Sequence, residues 1–320
     1  MKLKMMYSFL NTDINIVEKE LEKSIKSEHP LLSQASLHLL QAGGKRIRPV
    51  FVLLGGKFGD YQIDQIKYVA MSLELIHMAS LVHDDVIDDS TLRRGKQTIK
   101  AKWDNRIAMY TGDYIFARSL ELMSNVENIY AQQILSKAIV EVCVGEIEQI
   151  KDKYNFHQDL RTYLRRIKRK TALLIAVSCQ LGAVAANADD DICESLFWFG
   201  YYVGMSYQIT DDVLDFTETE AQLGKPSGSD LQQGNVTLPA LFAMENQDIY
   251  NEIININPKT TKEEMNHIIS LIKQSGAIER SIEISDKYLQ KALVVLESLP
   301  SGKAKTALYN IAKYIGKRKI

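Results

Sequence analysis

The sequence has few cysteines, few prolines and no long uncharged apolar run, and each shortage excludes a class of protein. Three cysteines in 320 residues, without metal-ligand spacing, exclude a disulfide framework and a zinc site, which predicts reduced core thiols and a cytosolic protein. No run of about 18 uncharged apolar residues occurs, so no membrane-spanning helix is expected. The first residues also lack the apolar region of a signal peptide. A formal net charge of −1 excludes a surface built to bind nucleic acid.

What is present is typical of helices. Six prolines leave long uninterrupted windows in which apolar residues recur three and four positions apart, as at Leu160, Leu164, Ile167 and Leu174. No alternating β-branched run with turn signals predicts a sheet. The longest non-helical segment, Gly224 to Gly234, is too short to separate domains. We therefore predict one all-α domain over residues 1–320, a bundle of roughly a dozen helices.

Two aspartate-rich segments carry the strongest functional signal. Each reads Asp-Asp-x-x-Asp within apolar sequence; they contain Asp84, Asp85 and Asp88, and Asp211, Asp212 and Asp215. Positions four apart share a helix face, where like charges repel unless cations bind. A solvated acidic surface would explain one such segment, but two copies flanked by apolar residues favour a function. Since Mg²⁺ prefers oxygen ligands and bridges to phosphates, we expect two acidic walls that hold a diphosphate.

Basic residues near these segments suit phosphate. Lys45, Arg46 and Arg48 surround the glycine pair that precedes a helix start, and helix starts and cation clusters both bind phosphate. A solvated basic turn would explain this segment equally well. Arg93 and Arg94 follow the first acidic segment and can reach over it.

Other candidates are weighed against simpler explanations. His77 lies two turns before Asp84 on the same helix face. A lone histidine on a helix is more often a core residue, but this alignment with the acids favours a functional role. Lys170 and Thr171 interrupt an apolar helix, and Thr171 could donate to a phosphate oxygen. Lys168 and Arg169 beside them are interpreted as a solvated stripe. The sequence contains no P-loop and no zinc-type His/Cys cluster, and the expected chemistry does not require a Ser-His-Asp arrangement.

Taken in order, these segments resemble the trans-isoprenyl diphosphate synthases nearly from end to end. The segments that carry the resemblance are Gly43–Pro49, His77–Gly95, Lys170–Thr171, Gln208–Asp215 and Gly224–Leu231. The resemblance implies an isoprenoid-synthase-type helical bundle around a central active-site cavity. Within the family, the chain is most similar to the large catalytic subunits of bacterial heptaprenyl diphosphate synthases.

The resemblance implies a reaction. An allylic diphosphate, farnesyl diphosphate or its elongated products, loses pyrophosphate to give a carbocation, the double bond of isopentenyl diphosphate attacks, and a proton leaves. Repeated steps give all-trans-heptaprenyl diphosphate for the menaquinone side chain. Several Mg²⁺ ions, bridging to the allylic diphosphate, and the basic residues would stabilise the negative charge on the leaving pyrophosphate.

The resemblance also implies residue roles. The catalytic residues would be Asp84, Asp85, Asp88, Lys170, Asp211 and Asp212. The leading metal ligands would be Asp84, Asp88 and Asp211, with Asp85, Asp212 and Asp215 as further ligands or as groups behind them. The allylic diphosphate would be held by Arg93, Lys170, Thr171, Gln208 and Lys225. Isopentenyl diphosphate would be held by Lys45, Arg48, His77 and Arg94.

Product length depends on the side chains one turn before Asp84, which would line the top of a tunnel for the growing chain. Ala79 and Ser80 are small and predict a long product, although close helix packing would also explain them. Asn235 stands where many family members have a lysine near the diphosphate, so one cation of the usual set is missing.

The remaining expectations concern the partners of this chain and alternative functions. The resemblance implies a small regulatory subunit, a homodimer, or both, and allows transient membrane contact during product release. Other candidates are a homodimeric hexaprenyl or octaprenyl synthase, a class I terpene cyclase and a non-catalytic regulatory subunit. A cyclase binds only one diphosphate, so it would not need the basic residues around Lys45 and Arg48. Regulatory subunits typically lose acids that this chain keeps.

Overall fold

The computed structural model describes residues 3–220 and 226–316, and these are almost entirely helical. The first part contains a 3₁₀ helix at Leu3–Leu10, α1 Asn11–Ser24, α2 Pro30–Gln41, α3 Ile47–Gly56, α4 Ile63–Ile87, α5 Ile99–Lys102, α6 Asn105–Met123 and α7 Ile129–Lys151. The second part contains α8 Leu160–Ile167, a π-helix at Lys168–Ala172, α9 Leu173–Ala185, α10 Asp190–Thr217, α11 Ser229–Gln232, α12 Leu238–Ala243, α13 Gln247–Ile253, α14 Lys262–Gln274, α15 Ala277–Glu297 and α16 Lys303–Gly316. The all-α prediction is confirmed.

One small sheet departs from the helical pattern. Strands β1 (Leu92–Arg93) and β2 (Lys96–Gln97) pair antiparallel directly after the first acidic segment. The turn residues Arg94 and Gly95 both have positive φ, 53° and 75°, as the tightest hairpin turns require. Strands of two residues carry no alternating pattern, so periodicity could not reveal them.

The chain groups into two compact units that each draw on separate stretches of sequence. Unit 1 comprises Met1–Ser136, Val177–Phe197 and Leu299–Leu308. Unit 2 comprises Lys137–Ala176, Trp198–Ser298 and Tyr309–Ile320. The first acidic segment belongs to unit 1 and the second to unit 2. The single domain over residues 1–320 stays a prediction.

Glycine permits a close approach of two helices in unit 1. A Cβ built on Gly182 of α9 would overlap the carbonyl oxygen of Val52 in α3, and one built on Gly55 would overlap the carbonyl oxygen of Cys179. The backbones of α3 and α9 are therefore in direct contact at these two positions. Helix α3 ends at Gly56, directly after this contact.

Unit 2 has two apolar clusters that bracket the second acidic segment. The first is built on α10, α12, α13 and α14 and includes Val213 and Phe216. The second contains Tyr163, Ile167, Ala172, Met205, Ile209 and Leu238. A buried hydroxyl pair, Ser206 and Ser285 at 2.8 Å, joins α10 to α15. The side chains around the second acidic segment are thereby fixed from two sides.

The cysteines match the sequence expectation only in part. All three are free, and Cys179 and Cys193 are buried, but Cys143 is exposed on α7. The expectation of three core thiols was wrong for Cys143, whose apolar neighbours lie on an exposed face of that helix. None of the helices among the described residues combines the length and apolar character that a membrane crossing requires.

Candidate active site

The first acidic segment ends a long helix of unit 1. Asp84 and Asp85 lie in the last turn of α4, and Asp88 follows as its C-terminal cap. The Asp88 backbone N–H still donates to the Asp84 carbonyl at 2.8 Å, so the helical spacing extends through Asp88. Asp84 and Asp88 are half-buried, whereas Asp85 is buried. The three carboxylates therefore fall into two environments.

Asp85 faces the protein and holds Arg93. Nε of Arg93 donates to Oδ1 of Asp85 at 2.8 Å, and Nη2 lies at the same distance. Burial raises the pKa of Asp85, although the Arg93 hydrogen bond and charge act in the opposite direction. The carboxylate thus serves to orient a guanidinium beside the first acidic segment.

The predicted basic residues of unit 1 converge around His77. Burial lowers the pKa of His77 well below its usual value, and Arg48, Arg94, Arg93 and Arg46 lower it further. This histidine is therefore neutral near pH 7. Arg94 also lies against the glycine pair, because a Cβ on Gly44 would come within 2.6 Å of Arg94 Nη1.

Arg46 is structural rather than a phosphate ligand. Its Nε donates to Glu18 at 2.7 Å, Nη1 to the buried Glu74 at 3.1 Å, and Nη2 to the Leu40 carbonyl at 2.9 Å. It adopts a left-handed conformation before α3 (φ 48°). Lys45 beside it is exposed and Arg48 is half-buried. The spacing of this basic segment could not tell these roles apart.

The second acidic segment lies within α10 of unit 2. Asp211 is half-buried, whereas Asp212 is 3% and Asp215 1% exposed. The two oxygens of Asp212 accept from different side chains, Oδ1 from Gln208 Nε2 at 2.8 Å and Oδ2 from the Tyr163 hydroxyl at 2.7 Å. Burial raises the pKa of Asp212 to about 7, and the charge of Asp230 adds to the rise.

Asp215 holds the chain that returns after α10. Its Oδ1 accepts from the Ser229 hydroxyl at 3.2 Å and its Oδ2 from the Asp230 N–H at 3.3 Å. Its backbone carbonyl accepts from the Gly228 N–H at 2.8 Å. Lys225, predicted to bind the allylic diphosphate, lies outside the described residues. The Asn235 N–H donates to the Asp230 carbonyl at 2.8 Å.

Lys170 and Thr171 lie in the π-helix, a rare conformation that is frequently found at functional sites. Lys170 Nζ donates to Gln149 Oε1 at 2.8 Å, and the Thr171 hydroxyl donates to Gln208 Oε1 at 2.6 Å. The structure thus brings together the predicted residues Lys170, Thr171, Gln208 and Asp212 within unit 2.

The neighbouring cations were predicted to form a solvated stripe, and only one does. Lys168 is exposed. Arg169 is only half-buried and is paired, with Nε 2.9 Å from Glu141 and Nη1 2.6 Å from Glu148. The prediction for Arg169 was wrong, because both acids come from α7 and are distant in sequence.

The predicted tunnel residues lie on α4, one turn before Asp84. Ala79 is buried, and the half-buried Ser80 donates its hydroxyl to the His77 carbonyl at 2.9 Å. Such a bond within the helix satisfies the hydroxyl where the surroundings are apolar. Their role in chain length stays a prediction.

Residues that sequence reasoning missed surround the second acidic segment. Tyr163, Gln149 and Arg166 are buried polar residues that contact predicted site residues or each other. The available signal was position: Tyr163 lies seven residues before Lys170, about two helical turns away. Within residues 3–220 and 226–316, no three His, Cys, Asp or Glu side chains group closely enough to hold a metal ion between them. Mg²⁺ bound through one or two carboxylates and substrate phosphates does not require such a group.

The all-α fold and the two Asp-Asp-x-x-Asp helices define a class of enzyme, and comparison with known proteins agrees. The polyprenyl synthetase family model matches residues 29–272. The chain belongs to the polyprenyl synthetase family. The prediction of a trans-prenyltransferase is confirmed.

Individual relatives show which members of the family this chain is similar to. The chain is 67% identical to "Heptaprenyl diphosphate synthase component 2" of Bacillus subtilis (strain 168), covering 100% of this chain and 92% of the relative. The crystal structure of heptaprenyl diphosphate synthase from Staphylococcus aureus matches with a TM-score of 0.94 at 47% identity, covering 97% of this chain and 99% of that one. A polyprenyl synthase from Caulobacter crescentus, crystallised with calcium and isoprenyl diphosphate, matches with a TM-score of 0.94 at 29% identity, covering 100% and 98%.

Proposed function

We propose that this chain is the large catalytic subunit of a two-component heptaprenyl diphosphate synthase. It condenses farnesyl diphosphate and its elongated products with successive isopentenyl diphosphates to all-trans-heptaprenyl diphosphate, the precursor of a menaquinone side chain. The observation that carries the proposal is 67% identity, over the whole of this chain, to a relative named as component 2 of heptaprenyl diphosphate synthase. The three free cysteines support a cytoplasmic location.

Mg²⁺ is the proposed metal, and the acidic residues fit it. Asp84, Asp88 and Asp211 keep part of their surface exposed, whereas Asp85 and Asp212 are buried against protein donors. We therefore assign the first three as ligands and the last two as groups that orient their neighbours. When bound, the divalent cations neutralise negative charge on the departing pyrophosphate.

The basic residues of unit 1 are proposed to hold diphosphate groups. Arg93, fixed by Asp85, binds the allylic diphosphate, and Lys45, Arg48, His77 and Arg94 bind isopentenyl diphosphate. A neutral His77 donates a hydrogen bond through one ring nitrogen without adding charge. The neighbouring arginines supply the positive charge that the diphosphate requires.

Unit 2 contributes to the allylic diphosphate site. Lys170 is held by Gln149, which places a cation beside Thr171 and Gln208. Its positive charge stabilises the leaving pyrophosphate. No protein base is assigned, and the released pyrophosphate is proposed to accept the proton. The apolar helices exclude water from the carbocation.

Ala79→Phe is expected to shift the product to shorter chains, because a phenyl ring at this buried position would block the growing tail. The measurement is the chain length of labelled products by thin-layer chromatography. Overpacking alone costs roughly 1–3 kcal/mol, which the matched variant Ala35→Phe, at a buried alanine of α2, measures separately. An unchanged product length from folded Ala79→Phe would place the tunnel elsewhere.

An exposed apolar face of α7 supports the proposed partner. Val140, Val144, Ile147 and Ile150 are exposed at spacings of three and four, so they share one helix face. An exposed apolar stripe of this kind is typical of an interaction surface. We propose that the small subunit covers it.

Ile147→Asp is therefore expected to weaken assembly with the small subunit by about tenfold or more, because it places a charge in an apolar interface. The matched control is Val294→Asp on α15, since the two side chains are 67% and 63% exposed. Light scattering measures assembly, and protection of the exposed Cys143 from a maleimide provides a footprint. Equal assembly by both variants would contradict the assignment.

The proposed activity is tested by a chain-length assay. The purified chain is incubated with Mg²⁺, farnesyl diphosphate and labelled isopentenyl diphosphate, alone and with a candidate small subunit. A C35 product only in the mixture is expected. A long product from the chain alone would reject the partner, and no product in either reaction would reject the catalytic role.

A further inference from the structure

Four side chains, three of them buried, link the π-helix to the second acidic segment through one continuous chain of hydrogen bonds. The Thr171 hydroxyl donates to Gln208 Oε1 at 2.6 Å, and Gln208 Nε2 donates to Asp212 Oδ1 at 2.8 Å. The Tyr163 hydroxyl closes the chain by donating to Asp212 Oδ2 at 2.7 Å. All four residues belong to unit 2, and Tyr163, at 1% exposed, is the most deeply buried.

The carboxylate sets the direction of this chain. When Asp212 is ionised, its two oxygens only accept hydrogen bonds, and a donor occupies each of them. Gln208 must then present its NH₂ group to Asp212 and its carbonyl oxygen to Thr171. Thr171 in turn must donate to Gln208, which leaves its lone pairs, rather than its proton, for another group. Donation from Thr171 to a phosphate, as the sequence led us to expect, requires this bond to break.

The tyrosine ring is held from several sides, so its hydroxyl has little freedom. It packs among Ile167, Ala172 and Met205. The guanidinium of Arg166 lies 5.6 Å from the ring centroid and is itself anchored by Gln158 and the Val236 carbonyl. A buried hydroxyl fixed in this way is well suited to hold a neighbouring carboxylate in one rotamer.

We propose that Tyr163 is a positioning residue of the second acidic segment, acting through Asp212 to hold Gln208 and Thr171 in register with the metal ligand Asp211. This inference rests on the proposed function for its substrate, the allylic diphosphate. Tyr163 itself touches neither substrate nor metal. Without the Tyr163 hydroxyl, the buried Asp212 keeps one donor. Its side chain can then rotate, which disturbs the neighbouring Asp211.

The test compares Tyr163→Phe with Tyr154→Phe. The Tyr154 hydroxyl also makes one hydrogen bond in unit 2, to the Gln232 carbonyl at 3.0 Å, but lies outside the chain of bonds. Tyr163→Phe is expected to weaken Mg²⁺-dependent binding of inorganic pyrophosphate, measured by calorimetry, by about tenfold, roughly the effect of one lost hydrogen bond to a charged group. The KM for farnesyl diphosphate should rise by a similar factor, and that for isopentenyl diphosphate should stay within about twofold. Tyr154→Phe should change none of these.

A double-mutant cycle with Asp212→Asn separates positioning from a merely structural role. If Tyr163 acts through Asp212, its replacement in the Asp212→Asn background should have little further effect on pyrophosphate binding. Independent, multiplying effects would overturn the proposal, as would wild-type binding by Tyr163→Phe. Should Tyr163→Phe not fold, Gln158→Leu, which removes an anchor of the Arg166 guanidinium that lies over the Tyr163 ring, must weaken pyrophosphate binding, and wild-type binding by that variant would overturn the proposal. Since pyrophosphate binding needs no turnover, absence of synthase activity in the wild type would reject the proposed function alone.

Discussion

Asp84→Asn and Asp211→Asn are each expected to reduce synthase turnover on the order of 10³-fold, with helical content and melting temperature unchanged. Both replacements keep side-chain size but remove a charge that the proposed metal site needs. Each of these carboxylates is half-buried, unlike the neighbouring Asp85 and Asp212. The measurement is the initial rate of labelled isopentenyl incorporation across a range of Mg²⁺ concentrations.

The matched control for the first acidic segment is Asp89→Asn. The side chain of Asp89 is 93% exposed and pairs with Lys100, and it has no proposed role at the metal. An exposed pair contributes little, so turnover should stay within about twofold of wild type. Full activity of Asp84→Asn, or an equal loss in Asp89→Asn, would contradict the metal assignment.

Gly182→Ala is expected to destabilise the protein by about 3 kcal/mol or more. The added methyl would overlap the carbonyl oxygen of Val52, and because that atom belongs to a helix backbone, α3 and α9 would have to move apart. The buried contacts along both helices would then be lost. Chemical denaturation followed by circular dichroism measures the free energy of unfolding.

Gly302→Ala provides the comparison for this prediction. A Cβ added at Gly302 would meet no atom within 4 Å, and this glycine does not require a positive φ. The same change there should alter the free energy of unfolding by less than about 0.5 kcal/mol. Equal effects of the two replacements would show that the α3–α9 contact is not the cause.

The helical fold and the acidic segments could be predicted because local patterns determine them. Apolar spacing of three and four predicts helix directly, and Asp-Asp-x-x-Asp fixes which carboxylates share a face. The same spacing could not separate Asp85 and Asp212, which are buried against protein donors, from the more exposed acids beside them. Their partners, Arg93 and Tyr163, decide their surroundings, and one of these is 49 residues distant.

Ion pairs between residues that are distant in sequence explain the remaining differences between the predicted and the observed site. Arg46 belongs to the same basic segment as Arg48, yet it meets the buried Glu74, an acid on another helix. Arg169 was interpreted as solvated because the local sequence does not show its partners. These are Glu141 and Glu148, which lie on α7. A sequence pattern records which charges are present but not which opposite charge folding brings beside them.

The π-helix at Lys168–Ala172 bears on how this gene can change length. A π-helical turn holds more residues than the α-helical turn, so losing a single codon there would let the chain close into uninterrupted α-helix. The deletion would keep helix content, and because the π-helical turn accommodates its extra residue within one turn, the helix on either side would keep nearly the same orientation. A single deletion within the uninterrupted α-helix of α8 or α9 would instead rotate everything beyond it by roughly 100°. Loss of the codon for the exposed Lys168 should therefore be tolerated better than loss of a codon in either neighbouring helix.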